Sequence, residues 1–152
     1  MNENFSHLDE TGSAKMVDVS KKPDMVREAS AQAIFCCQSL TIKKLKDKAL
    51  PKGDVLTVAK IAGIQAAKET SRIIPLCHPL PLSGMDIEFE IFEQSIRIGS
   101  KVRTTAKTGV EMEALTAVQV AALTLFDMCK AVDQNMSITD VRVITKTKAN
   151  LA

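Results

Sequence analysis

A strictly alternating segment at residues 85–91 is the feature that most restricts how this chain can fold. Its sequence, MDIEFEI, places apolar and acidic side chains on opposite sides of an extended backbone, as a half-buried antiparallel strand requires. Gln94 and Ser95 suit a turn, and residues 96–105 have the composition of a second strand. The sequence therefore predicts a half-buried β-hairpin in this region.

Three helices are predicted around this hairpin. A short basic helix covers residues 39–50 and is stopped by Pro51, and Asp54 caps a second helix over residues 54–73. Three prolines make residues 75–81 irregular. The longest helix, over residues 111–132, is rich in Ala, Leu, Val and Met.

Further strands are predicted at residues 15–19 and 137–146, whereas residues 25–37 fit either a helix or a strand. The order of these elements predicts an α+β fold, a ferredoxin-like antiparallel sheet with helices packed on one face. At 152 residues, the chain is expected to form one domain, residues 1–152. The polar residues 1–13 are expected to form a flexible arm.

The composition excludes several classes of function. A net charge of +2, with no basic run interleaved with aromatic residues, argues against nucleic acid as the main ligand. No secretory signal or membrane-spanning run is recognisable. The four cysteines lack a C-x-x-C spacing and are expected to be reduced thiols in the cytoplasm.

Phosphate loops, dinucleotide-binding loops and H-E-x-x-H motifs are absent from the sequence, and there are only two histidines. Acid–base chemistry would therefore depend mainly on Lys, Asp and Glu. Lys52 precedes Gly53 and the capping Asp54, where it is either a proton donor or an ordinary loop lysine. His78 lies between prolines, where it could contact a phosphate, carry a proton, or be a satisfied loop histidine.

A metal site formed by Cys77 and His78 would lack the three or four protein ligands that zinc requires, so no metal is expected. Glu111 and Glu113 open the long helix, where the helix dipole favours negative charge. Near its other end, Asp127 and Lys130 are three residues apart. They form either a common exposed ion pair or a partly buried pair tuned for acid–base work.

Six sequence runs resemble the family of cyclic pyranopterin monophosphate synthases of molybdenum-cofactor biosynthesis. In order along nearly the whole chain they are HLDETGSAKMVDVS (7–20), KGDVL (52–56), AKIAGIQAAK (59–68), IPLCHPL (74–80), KTGVEMEALTA (107–117) and FDMCKAV (126–132).

The resemblance implies a ferredoxin-like lyase that converts 3′,8-cyclo-7,8-dihydro-GTP to cyclic pyranopterin monophosphate and pyrophosphate. It implies a cytoplasmic homohexamer, a trimer of dimers, supplied with substrate by an upstream radical S-adenosylmethionine enzyme. No cofactor is implied beyond Mg²⁺ that could accompany the triphosphate. The alternative interpretation is a non-catalytic module of the same fold that binds GTP or a pterin nucleotide.

The resemblance also assigns roles to particular residues. It implies that Lys52, Asp127 and Lys130 are catalytic. It implies substrate contacts from a further group of residues: Arg27, Leu76, Cys77, His78, Glu111, Met112, Glu113 and Lys146. The chain departs from the family after Lys146, because the glycine-rich tail common among members is replaced by TKANLA (147–152).

Helix geometry limits how these residues can combine. In a helix over residues 111–132, Glu111 and Asp127 are sixteen positions apart, which corresponds to ~24 Å along the axis, and the two side chains point ~160° apart. A nucleotide triphosphate cannot bridge that span around the helix. The sequence therefore predicts that each active site lies at a subunit interface and takes opposite ends of this helix from two chains.

Overall fold

The computed structural model describes residues 7–151. Its elements are β1 (Met25–Cys36), α1 (Ser39–Lys46), α2 (Val55–Ile73), β2 (Leu82–Ile91), β3 (Ser95–Ala106), α3 (Glu111–Cys129) and β4 (Ser137–Ala149).

The four strands form one antiparallel sheet in the order β2-β3-β1-β4. The predicted hairpin is confirmed as β2 and β3, with Phe89 opposite Ile98. The ambiguous segment at 25–37 is a strand, β1, which pairs with β3 on one side and with β4 on the other. Its central position gives every part of the strand a partner, and this pairing decides against the helix that its alanines would also allow.

Helices α2 and α3 cover one face of the sheet. Three of the four buried side chains on β1 are alanines, Ala29, Ala31 and Ala33, and the fourth is Phe35. Gly63 on α2 lies so close to α3 that an added Cβ would be 2.8 Å from the carbonyl oxygen of Ala117. Small residues therefore set the close packing of helix on sheet and of helix on helix. The predicted ferredoxin-like arrangement, with its helices on one face, is confirmed.

By length and composition alone, helix α3 is long and apolar enough to cross a membrane. Its side chains are nevertheless packed inside the molecule, and Ala117, Val118, Ala121 and Leu125 are fully inaccessible to solvent. Helix α3 is the central core helix of the fold.

The predicted strand at residues 15–19 is wrong. This segment is extended, and Val17 and Val19 are half-buried between exposed neighbours, but neither lies in a strand. Alternation alone does not make a strand when no neighbouring strand supplies hydrogen bonds. The predicted arm at 1–13 falls partly on residues 1–6, which lie outside the described residues. Within residues 7–13, Asp9 accepts hydrogen bonds from the backbone of Thr11 and Ser13.

Two helices end earlier than predicted. The first ends at Lys46 rather than at residue 50, because Lys48 adopts a left-handed conformation with φ of 51°. The third ends at Cys129 rather than at residue 132, in the turn that leads to β4. The second matches its prediction, with Asp54 accepting a hydrogen bond from the Thr57 amide at 3.1 Å.

Candidate functional site

Lys52, Asp127 and Lys130 meet at the C-terminal end of α3. Lys52 lies in the loop between α1 and α2, and its Nζ donates to Asp127 Oδ2 at 2.8 Å and to the Asp127 carbonyl at 3.1 Å. Lys130 Nζ lies 2.7 Å from the other carboxylate oxygen, Oδ1. One carboxylate thus holds two ammonium groups, and we call these three residues the carboxylate–lysine cluster.

The two lysines keep Asp127 ionised. Hydrogen bonds from Lys130 and then Lys52, with the attraction of both charges, lower the pKa of Asp127 to about 2. Between 43% and 59% of each of the three side chains is exposed, so of the two alternatives that the sequence left open, the exposed ion pair is the one observed. The cluster carries a net charge of +1 on an open surface, where an anionic ligand can reach both ammonium groups.

A buried aspartate joins the elements on either side of this cluster. Asp133, in the turn after α3, is only 2% exposed. Its Oδ2 accepts hydrogen bonds from the backbone N–H of Gln38 at 2.8 Å and from the Thr41 hydroxyl at 2.9 Å, both at the start of α1. These hydrogen bonds connect the start of α1, which leads to Lys52, with the turn that follows Lys130. Sequence reasoning missed Asp133, because a carboxylate next to Gln134 and Asn135 has the composition of an ordinary polar turn.

A second group of predicted residues lies at the opposite end of α3. Glu111 in its first turn forms an ion pair with Lys146 of β4. Arg27 of β1 donates from Nε to the Ala106 carbonyl and from Nη2 to the Lys107 carbonyl, both at 3.1 Å. Arg27, Glu111 and Lys146 line one shallow pocket, together with Lys148. Its cationic side chains suit it to a phosphorylated ligand.

Glu113 is the buried acid of this second group. It is 4% exposed, and burial raises its pKa to about 6, against a smaller opposite effect from its own backbone amide. Burial also raises the pKa of Cys77, and the nearby charge of Glu113 adds to that effect. Glu113 and Cys77 are therefore neighbours in a poorly solvated region, which favours their neutral forms.

The buried carboxyl makes stability depend on pH. The folded protein holds the Glu113 proton until about pH 6, whereas the unfolded chain releases it near the ordinary value of 4.5. The contribution of Glu113 to stability is thus complete below the lower value and is lost as the pH rises to the higher one. We expect Glu113→Gln to gain on the order of 2 kcal/mol of stability relative to wild type as the pH rises through this window, and no more above it. Urea unfolding at a series of pH values measures the difference.

The exposed Glu93 provides the control for this experiment, since Glu93→Gln should leave the pH profile of stability unchanged. A Glu113→Gln profile that runs parallel to wild type from pH 4 to pH 8 would contradict the buried-acid assignment.

His78 follows Leu76 and Cys77 in the irregular loop between α2 and β2, and all three are half-buried. His78 Nε2 lies 2.7 Å from the Val17 carbonyl oxygen. Close by along the same segment, Lys107 Nζ donates to the Ser20 carbonyl at 2.7 Å. We call residues 15–20 the N-terminal strap. Sequence reasoning gave it no chemical role, because its contacts use backbone carbonyls that any residue type supplies.

The predicted site residues therefore form two groups in one chain. Lys52, Asp127 and Lys130 lie at the C-terminal end of α3, and Arg27, Glu111, Glu113 and Lys146 lie around its N-terminal end. Met112, also in the first turn of α3, is 38% exposed. Among residues 7–151, no three His, Cys, Asp or Glu side chains are grouped as a metal site would require.

Comparison with known proteins identifies the family. The model of the MoaC family matches residues 16–149, nearly the whole chain. The chain belongs to the MoaC family.

Curated MoaC relatives match over most of their own length as well. A protein of Heliobacterium modesticaldum is 55% identical over 94% of this chain and 91% of its own. Proteins of Peptoclostridium acidaminophilum and Syntrophomonas wolfei are 54% and 56% identical, covering 94% and 95% of this chain and 91% and 93% of theirs. All three are named cyclic pyranopterin monophosphate synthase.

Proposed function

We propose that this chain is a cyclic pyranopterin monophosphate synthase, a lyase of molybdenum-cofactor biosynthesis. It converts 3′,8-cyclo-7,8-dihydro-GTP to cyclic pyranopterin monophosphate and pyrophosphate. Three relatives at 54–56% identity carry this name, and the observation that supports catalysis in this chain is the carboxylate–lysine cluster. The cluster combines a carboxylate with two proton donors, which suits proton transfer as well as binding of an anion.

The proposed reaction needs proton transfers while a purine-derived ring opens and a pterin forms, and it needs charge stabilisation as pyrophosphate leaves. Lys52 and Lys130 carry transferable protons on exposed ammonium groups, which suits general acid catalysis. Asp127, ionised between them, orients both lysines and can accept a proton once substrate displaces either contact. No net oxidation occurs, so no redox cofactor is needed, although Mg²⁺ could accompany the triphosphate.

The second group is proposed to bind the substrate. Arg27 and Lys146 supply positive charge for phosphate oxygens. Further contacts with the substrate are proposed for Leu76, Cys77, His78, Glu111, Met112 and Glu113. Because α3 is a single helix of 19 residues, its two ends in one chain are too far apart for one nucleotide. A complete site then combines the carboxylate–lysine cluster of one chain with the second group of another.

Such sites require an oligomer, which we propose to be a homohexamer arranged as a trimer of dimers. An apolar groove between the end of α2, the middle of α3 and β4 supports self-association. Three of its side chains, Ile73, Leu123 and Val141, are 55%, 60% and 36% exposed. Exposed apolar groups of this extent are characteristic of protein interfaces.

We place the reaction in the cytoplasm, downstream of a radical S-adenosylmethionine enzyme that would make the cyclised nucleotide. The four cysteines are free thiols, which is consistent with a reducing compartment.

Incubation with the cyclised nucleotide tests the function directly. We expect stoichiometric release of pyrophosphate, measured by a coupled phosphate assay, and formation of the cyclic phosphate, measured by mass spectrometry. Saturable binding without pyrophosphate release would instead favour the alternative, a non-catalytic nucleotide-binding module.

A further inference from the structure

The hydrogen bond between His78 and the N-terminal strap defines which nitrogen of this imidazole carries the proton. The partner of Nε2 is the Val17 carbonyl oxygen at 2.7 Å. A carbonyl oxygen can only accept, so Nε2 must be the protonated nitrogen and must donate. In the neutral ring, Nδ1 is then left with a free lone pair.

The strap is held in place by more than this one bond. Lys107, just before α3, donates to the Ser20 carbonyl at 2.7 Å. Asp18 Oδ1 accepts from the Ser20 amide at 2.8 Å and fixes the turn between the two carbonyls. Val17 and Val19 are half-buried while Asp18 is exposed, so the two valines of the strap face the protein.

The half-buried His78 side chain leaves its second ring nitrogen without a partner in the part of the chain that the structure describes. Among residues 7–151, Nε2 is the only atom of the His78 ring with a hydrogen-bonding partner. Pro79 follows His78 directly and limits the freedom of its backbone. Nδ1 of a neutral ring protonated at Nε2 can accept a hydrogen bond but cannot donate one. It would therefore bind a hydroxyl or an N–H group, not a phosphate oxygen.

We propose that the N-terminal strap positions His78 for substrate through the Val17 carbonyl, so that Nδ1 accepts a hydrogen bond from a hydroxyl or ring N–H of the bound nucleotide. This inference rests on the proposed function. In this proposal His78 contacts the sugar or base part of the substrate, and the cationic residues Arg27 and Lys146 bind the phosphates. The strap acts as a positioning element whose own side chains make none of these contacts.

The protonation of His78 can be tested without any activity measurement. The chain has only two histidines, His7 and His78, so ¹⁵N-histidine labelling gives two sets of ring signals, which His78→Gln assigns. In the full-length protein above pH 7.5, His78 should show a protonated Nε2 whose N–H signal survives exchange with water. The exposed His7 should show no such signal. A proton on Nδ1, or a ring N–H that exchanges as fast as that of His7, would overturn the proposal.

The contact with substrate is tested by two amide variants. In His78→Gln the amide replaces Nε2 and the acceptor at Nδ1 is lost, so we expect KM to rise about tenfold with little change in kcat. In His78→Asn the amide oxygen lies near the position of Nδ1 and needs no strap to fix its tautomer. KM of this variant should stay within about threefold of wild type.

A rise in KM for His78→Asn that equals or exceeds the rise for His78→Gln would overturn the assignment of Nδ1. A KM for His78→Gln equal to that of wild type would overturn it as well. Absence of pyrophosphate release by the wild-type protein would instead refute the proposed function, and the ring signals would still report on the strap.

Discussion

Asp127→Asn and Lys52→Ala should each lower the rate of pyrophosphate release by at least ~10²-fold, the usual effect of removing a general acid or base. Asp127→Asn takes away the charge that holds two ammonium groups within 2.8 Å of its oxygens. Lys52→Ala removes one of the two proton donors. Both side chains are about half exposed, so the fold should be retained. Single-turnover assays and thermal melts measure the two effects together.

The chain contains a matched control for this experiment. Lys60 and Asp86 form an ion pair at 2.7 Å with 43% and 56% of their side chains exposed, against 43% and 55% for Lys52 and Asp127. Lys60→Ala should leave the turnover close to wild type, because this ion pair belongs to neither group of site residues. The fold should also be retained, because an exposed ion pair contributes little to stability. A well-folded Asp127→Asn protein with near-normal turnover would refute the assignment of the cluster as catalytic.

Mixing two inactive variants should restore activity if sites are shared between chains. Asp127→Asn damages the half-site at the end of α3, and Glu113→Ala damages the half-site at its beginning. When the two are unfolded and reassembled together at equal concentration, about a quarter of the interfaces receive both intact halves. We therefore expect about a quarter of the wild-type activity from a mixture whose components have nearly none.

The control is a mixture of Asp127→Asn with Lys52→Ala, which damage the same half-site. No interface in that mixture is complete, so no activity should return. Differently tagged chains show whether co-assembly has occurred. If the chains co-assemble and the Asp127→Asn and Glu113→Ala mixture stays inactive, the two ends of α3 do not serve a shared site.

Local patterns predicted the elements whose partners are close in sequence. The hairpin of β2 and β3 follows from strict alternation and a short turn, and the cap of α2 follows from Asp54. Strand β1 was ambiguous because its alanines suit either conformation, and its pairing with β3 about 70 residues away decides the outcome. Residues 15–19 have the alternation of a strand but no neighbouring strand to pair with.

The same limit applies to the site. Helix spacing could bring Asp127 and Lys130 together, and they do form an ion pair. Their contact with Lys52 crosses 75 residues of sequence, and no local pattern in the chain predicts it. The contacts of His78 and Lys107 with the strap end on backbone carbonyls, which leave no trace in side-chain composition. The resemblance to a family suggested which residues matter, and the fold was needed to divide them between the two ends of α3.

The position of α3 between these two groups limits how the family can change. Each additional residue inside the helix would turn one end by about 100° and move it 1.5 Å relative to the other. Gly63 packs too closely against Ala117 for the helix to slide and compensate. In the proposed arrangement of shared sites, one insertion or deletion would thus misalign two neighbouring sites at once. Length changes among relatives should therefore accumulate in the loops and at the termini, while the number of residues from Glu111 to Asp127 stays fixed.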